Sequence, residues 1–345
     1  MINNDDYIYA VTLVQVLTNQ LLDRNDIERM LGAKDAKEAY RILNDTDYST
    51  HIGDVSRVED FQEVIDAGLS DTRKLLRDMT PERWVLNMAW YKYDAHNTKT
   101  LLKAKLTGKT YEDVAELLIP WGKIKLSALT EFVFADEIIQ PRMKGDEKPR
   151  LQRAVQRSKE LYEETGSLTL VDLHIDRAFL KVRQKIAKGT GSKFLQSFMK
   201  AKTDIHNIMA FCRSKDQHVD PEIVLKKALT VGGTIRLDKF NDNLKEDWDA
   251  VNTAFSFCAY SDSIAKGLES YKETGSFRKL ERLLQNDVLE MINDARFLPF
   301  GIEPILNYWW LKEFNAQIIR MIMVGKLNGL DTEMIREEIP HSYVN

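Results

Sequence analysis

Two cysteines, Cys212 and Cys258, are all the thiols this chain has. They cannot make a disulfide framework, and both fall in apolar, helix-like segments, which suits a reducing cytosol. Glycine (16) and proline (8) are also scarce, together roughly 7% of 345 residues against about 12% in average usage. So few breakers favour long helices. Strand-like alternation is nearly absent. The exceptions are IKL from Ile124 and IRL from Ile235, each just after a glycine (Gly122, or Gly232-Gly233); they read as short extended links. Positive charge is not in excess: the net charge is −4 and the pI about 6.0. No global basic field invites nucleic acid. No apolar run approaches the ~20 residues needed to span a bilayer, since IIRMIMV is short and holds Arg320. The opening MINNDDY is acidic where a secretory leader is basic, so membrane contact is expected only through other molecules.

Catalytic signatures are missing too. There is no H-E-x-x-H, no C-x-x-C, no His-Asp doublet, no G-x-S-x-G and no phosphate-cradling glycine loop. The acidic stretch NDNLKED from Asn241 lacks the paired aspartate clusters of a helical terpene cyclase and reads as a solvated helix face. Tyr308 with Trp309-Trp310 reads as core and groove wall. No catalytic residue, cofactor or metal is expected.

What the chain does have is itself, nearly repeated. Hydrophobic residues make up 43% and charged residues 30%, a folded soluble composition. YDAHNTKTLLKAK from Tyr93 and TDIHNIMAFCRSK from Thr203 both carry Asp-x-His-Asn: Asp94, His96, Asn97, then Asp204, His206, Asn207, a step of 110 residues. A further step of 111 lands on Asn315, in EFNAQIIRMIMVGK. YEETGS from Tyr162 returns as YKETGS from Tyr271, and capped starts recur at TYED (Thr110), DPEI (Asp220) and DTEM (Asp331). A repeat has to be recognised before any fold is assigned. Here it predicts an all-α protein of three pseudo-three-fold-related helical bundles, 7–126, 127–237 and 238–345, forming a funnel-like body. Each repeat would hold a helix ending near T-D-Y or E-T-G, a second with an acidic position (Asp60, Asp172 or Glu281), a third with the D-x-x-N core, and a fourth after the capped glutamate. QPRMKGDEKPR from Gln140 and KGTGS from Lys188 read as exposed loops.

The D-x-H-N pair is the one chemically suggestive cluster. Asp94 and Asn97, at i and i+3, share a helix face, whereas Asp94 and His96 do not. The first reading is a set of buried hydrogen bonds pinning each helix to its neighbours. Two other readings stay open: an all-helical enzyme using Asp94, His96, Asp204 and His206, and a generic helical scaffold.

The same residues resemble a known family. DAHNTKTLLKAKLTGKTYEDV is similar to the D-x-x-N helix of the family that holds the C subunits and d subunits of V-type and A-type rotary ATPases. KEFNAQIIRMIMVGKLNGLDTEMIREEIP resembles that family's C-terminal signature through Glu313, Ile319-Arg320, Gly325-Lys326 and Ile335-Arg336. FGIEPILNYWWLKE, with Gly301 and Tyr308, and YAVTLVQVLTNQLLDRNDIERML are similar as well, so the resemblance covers nearly the whole chain. One departure is Ile318, where the family usually has Asn. The resemblance implies a non-catalytic central-rotor component, cytoplasmic and peripheral at the inner face of the cell membrane. Its implied partners are the central-stalk subunits and the membrane proteolipid rotor ring, and its implied work is ion transport or ATP synthesis. The structural repeat positions are then Asp94, Asn97, Asp204, Asn207, Asn315 and Arg320.

Overall fold

The computed structural model describes residues 4–53, 57–134, 148–295 and 298–339. It is all-α, with no strand among the described residues. The helices are α1 (Ile8–Thr18), α2 (Arg24–Gly32), α3 (Ala36–Ile42), α4 (Ser49–Ile52), α5 (Phe61–Met79), α6 (Asn87–Leu106), α7 (Leu126–Phe134), α8 (Lys148–Thr165) and α9 (Leu168–Thr190). They continue with α10 (Lys193–Asp216), α11 (Pro221–Ile223), α12 (Leu237–Asp242), α13 (Trp248–Phe255), α14 (Ser261–Thr274), α15 (Arg278–Ala295), α16 (Glu303–Leu327) and α17 (Thr332–Glu338). No helix among the described residues is long and apolar enough to cross a membrane.

The chain falls into two compact units. One is continuous, Trp84–Glu281; the other is split, joining Met1–Arg83 to Arg282–Asn345. In the continuous unit α9 packs on α6, α8 and α10, and α7 packs on α6. In the split unit α16 is the spine, packed by α1, α3, α5 and α17. It is buried on nearly every side, with Tyr308, Trp309 and Trp310 in the core. A helix apolar all round belongs in an interior.

The E-T-G markers are helix punctuation. Thr165 Oγ1 donates to the Leu161 carbonyl and accepts from Ser167 N–H, with Gly166 left-handed (φ 65°) between them. Thr274, Gly275 (φ 66°) and Ser276 do the same. Glycine reaches this conformation without Cβ strain, so the helix stops there. Thr46, in T-D-Y, repeats the hydrogen bonds with Asp47 in the glycine's place: its hydroxyl donates to Leu43 and accepts from Tyr48 N–H.

Three sequence expectations change. KGTGS is not a loop, because α9 runs on to Thr190 and only Gly191 (φ 75°) and the cap Ser192 separate it from α10. The capped starts diverge: Asp331 opens α17, Asp220 opens the three-residue α11 and a π-turn (Val224–Ala228), and Thr110 opens no α-helix. There Asp113 accepts from both the N–H and the hydroxyl of Thr110, and only a 3-10 turn (Ala115–Leu117) follows, two residues short of Pro120. Of the loop expected from Gln140, residues 140–147 lie outside the described residues, and the rest opens α8.

Candidate functional site

Helical spacing puts Asp94 and Asn97 on one face of α6, and both are fully buried. The Asp94 carboxylate accepts from Lys123 N–H (2.8 Å) and Ile124 N–H (3.0 Å). Asn97 pairs like a peptide group with Ile119, giving Nδ2–H to its carbonyl and taking its N–H, both at 2.8 Å. The extended link after the 3-10 turn is therefore clasped at both ends. On α10, Asp204 accepts from Thr234 N–H, the Thr234 hydroxyl and Ile235 N–H at 2.7–3.0 Å. Asn207 pairs both ways with Thr230 at 2.9 Å. A Cβ on Gly122 or Gly233 would overlap the clasping carboxylate, so the links carry glycine where backbone must touch side chain.

The histidines cap turns. His96 Nε2 meets the Leu117 carbonyl at 2.9 Å, and His206 Nε2 meets that of Ala228 at 2.9 Å. His174 and Arg177 reach the next two carbonyls of the π-turn, Lys227 and Lys226. These are the orphan acceptors that end any helical turn. Burial holds the pKa of His206 and of His174 below the usual imidazole value. Burial also pushes the Cys212 thiol up to about 12, which makes it unreactive. No three His, Cys, Asp or Glu side chains gather as a metal site among the described residues.

Asn315, on α16, accepts Leu22 N–H through Oδ1 at 2.7 Å. Leu22 stands just before the cap of α2, as Ile124 and Ile235 stand just before α7 and α12, so Asn315 occupies the register of Asp94 and Asp204. Ile318 then falls where Asn97 and Asn207 fall, and it is buried apolar packing. One turn earlier, buried Lys312 meets Asp47 at 2.5 Å and lies over the Tyr48 ring. Burial pushes its pKa down to about 8 against the pull of Asp47. Gly68 on α5 leaves the room that Tyr48 fills. Arg320, five residues past Asn315, grips Gln62 and Asp66 on α5. Lys99, five past Asp94, grips Asp176 on α9 in the same way. Of the expected acidic positions, Asp172 meets Lys103 and Glu281 meets Arg213, each at 3.0 Å. Asp60 lies 4.0 Å from Arg57, beside it in sequence, while its helix α5 presents Asp66 to Arg320.

The model of the ATP synthase (C/AC39) subunit family matches residues 10–338. The chain belongs to this family. It is similar to the C subunit of an A-type ATP synthase of Methanocaldococcus jannaschii, 24% identical over 96% of this chain and 85% of the relative. It is similar also to the C subunit of a V-type sodium ATPase of Enterococcus hirae (23%, covering 94% and 95%) and to that of a V-type ATP synthase of Deinococcus radiodurans (23%, covering 97% and 91%).

For this member of the C/AC39 family, the residues that carry the C-terminal resemblance have visible work. Gly325 lets Ile335 press against α16, and Arg336 meets Glu28 at 2.5 Å. Sequence reading missed a third repeated device. Lys105, Lys215 and Lys326 each lie eleven residues past Asp94, Asp204 or Asn315. Each ammonium donates to carbonyls at or just past a helix end: Lys105 to Phe134, Lys215 to Leu244 and Glu246, Lys326 to Leu31 and Ala33. A cation at a helix C-terminus satisfies orphan carbonyls and the dipole together. The constant spacing was the available signal.

Proposed function

We propose that this chain is the non-catalytic C subunit of a prokaryotic V/A-type rotary ATPase, coupling the central stalk to the proteolipid rotor ring on the inner face of the cell membrane. The observation that carries this reading is the family match along 10–338, joined to the fate of the repeated polar groups. Asp94, Asn97, Asp204 and Asn207 spend their hydrogen bonds on the chain's own backbone. Groups committed this way stiffen the molecule, and close-packed interiors transmit strain, as a torque-bearing part requires. The three-repeat division 7–126, 127–237 and 238–345 belongs to this proposal: three helices, α6, α10 and α16, each clasp a segment leading into a short helix and cap that helix with a lysine eleven residues on. Exposed apolar side chains such as Tyr9 (74% exposed) and Phe257 (96%) are available to partner subunits.

The test is affinity purification of the tagged chain from its own membranes. Stalk subunits and the proteolipid ring should co-purify, and complexes lacking the chain should hydrolyse ATP without moving ions. A chain that recovers neither partner refutes the assignment.

A further inference from the structure

The ion pairs between α6 and α9 form a ladder. Lys99 meets Asp176 at 2.8 Å and Lys103 meets Asp172 at 3.0 Å. Four residues forward on α6 match four residues backward on α9, so the two helices run antiparallel in strict register. Seven residues before Lys99 and seven after Asp176, that register sets Lys92 opposite Arg183. Arg183 Nε agrees with the placement, donating at 2.7 Å to the Met88 carbonyl, one turn before Lys92. This rung carries a second cation where the other two carry an acid.

α10 adds a third cation, Lys202. Gln184 Nε2 donates to Thr203 Oγ1 at 2.8 Å and ties α9 to α10 beside Arg183 and Lys202. Lys202 lies over the Phe198 ring, 5.8 Å from its centroid. Burial, and then the charges of Arg183 and Lys92, push the Lys202 pKa down to about 7. Burial pushes Arg183 down to about 10. Neither Arg183 nor Lys202 forms an ion pair with a carboxylate among the described residues. Asp176, whose charge reaches Arg183, is already held by Lys99. Both cations are half-buried, where like charges repel more than they would in open water and a charge without a counter-ion is costly. An anion set among them relieves both costs.

We propose that Lys92, Arg183 and Lys202 form a receptor for an acidic side chain, aspartate or glutamate, supplied by a partner polypeptide, which completes the third rung. Two features select a carboxylate. The finished rungs of the ladder hold carboxylates against lysines between the same two helices. Arg183 commits only Nε to Met88, so its two terminal nitrogens keep the planar fork that grips a carboxylate through parallel hydrogen bonds. The inference rests on reading this chain as one subunit among several.

The test is binding of a fluorescently labelled hexaglutamate peptide to the full chain, read by anisotropy. The parent should bind it about tenfold more tightly than Arg183→Gln or Lys202→Gln, and the advantage should shrink as salt rises. Lys202→Gln leaves the Arg183–Met88 bond intact and removes a crowded charge, so its melting temperature should not fall. In the membrane pull-down, the same variant should lose partner protein at lower salt than the parent. Equal peptide affinity in the parent and both variants overturns the proposal. So does displacement of the peptide by inorganic phosphate at an equal concentration of anion, because the site then serves a free oxyanion. A parent chain that recovers no partner refutes the proposed function instead, and the peptide titration still decides whether the three cations receive an acid.

Discussion

The clasps on α6 and α10 differ from the one on α16 in charge and in completeness. Asp94 and Asp204 each gather two backbone N–H groups from a glycine-bearing link. Asn315 gathers one, from a segment that lies 293 residues away in sequence. Charge has moved one turn up the helix, to Lys312 and its partner Asp47. The same mechanical task, holding a chain segment against a long helix, is met by a lone carboxylate where local backbone can neutralise it. Where the segment comes from the other end of the chain, it is met by an amide beside a buried ion pair. A buried carboxylate without enough donors is costly, so the substitution of Asn for Asp follows from the donors available.

The comparison breaks hardest at Lys312. Lys312→Met strands Asp47, and removing one partner of a buried pair costs about 3–5 kcal/mol. Chemical denaturation of the variant should show a loss of that size, and adding Asp47→Asn should recover most of it. The pH dependence is distinctive. The folded pKa is pushed down to about 8, below the usual lysine value. Between those values the unfolded chain holds the proton that the folded chain has released, so this group adds stability as pH rises from about 8 toward the unfolded pKa. The rise should be absent in Lys312→Met; matching pH slopes in variant and parent would refute the assignment of that shift.

Next come the clasps themselves. Asp94→Ala and Asp204→Ala each orphan buried N–H groups and should cost about 1–3 kcal/mol. Gly122→Ala and Gly233→Ala should cost about 1–3 kcal/mol from the other side, by forcing a Cβ against the same carboxylate. Asn315→Asp should destabilise too, since it adds a charge without a second donor, whereas an aspartate at either of the other positions is the stable choice. Unchanged melting of all five variants would show that these contacts carry no weight.

How much of this could be read beforehand divides along the same line. Asp94, Asn97, Asp204 and Asn207 were legible because each acts on backbone 22 to 31 residues away, so helix and target lie close together in sequence on both α6 and α10. Asn315 was legible as a position, through the 111-residue step, but its partner was not, because Leu22 lies at the far end of the sequence. Lys312 was invisible, since a charge inside an apolar run looks like a solvated residue until the fold buries it. The T-D-Y, E-T-G homology was visible as composition and turned out to be one hydroxyl bonding pattern. The helix expected after Thr110 does not form: a capped start marks where a helix can begin, but Asp113 spends its carboxylate on Thr110 and Pro120 follows too soon, so only a 3-10 turn fits between them.

Smaller effects sharpen the comparison. Lys215→Met and Lys326→Met each remove an ammonium shared by two backbone carbonyls, and each should cost about 0.5–1.5 kcal/mol. Thermal melts of both variants test whether the eleven-residue spacing marks equivalent supports. A loss for one and none for the other would dissolve the equivalence.

The smallest effect is expected at the pairs five residues beyond each clasp. Arg320 and Asp66 are 37% and 43% exposed and lie 3.4 Å apart; Lys99 and Asp176 are 23% and 32% exposed at 2.8 Å. Exposed pairs are worth about 0–1 kcal/mol and weaken with salt. Arg320→Gln should therefore cost less than Lys99→Gln, and the gap should close at high ionic strength. Arg320 also donates to Gln62, a neutral acceptor, so part of its contribution should survive salt that removes the Coulombic share. A double-mutant cycle over Arg320 and Gln62, run at low and high salt, separates the two. A coupling that vanishes with salt would mean that the guanidinium acts through charge alone, and its likeness to Lys99 would then be complete.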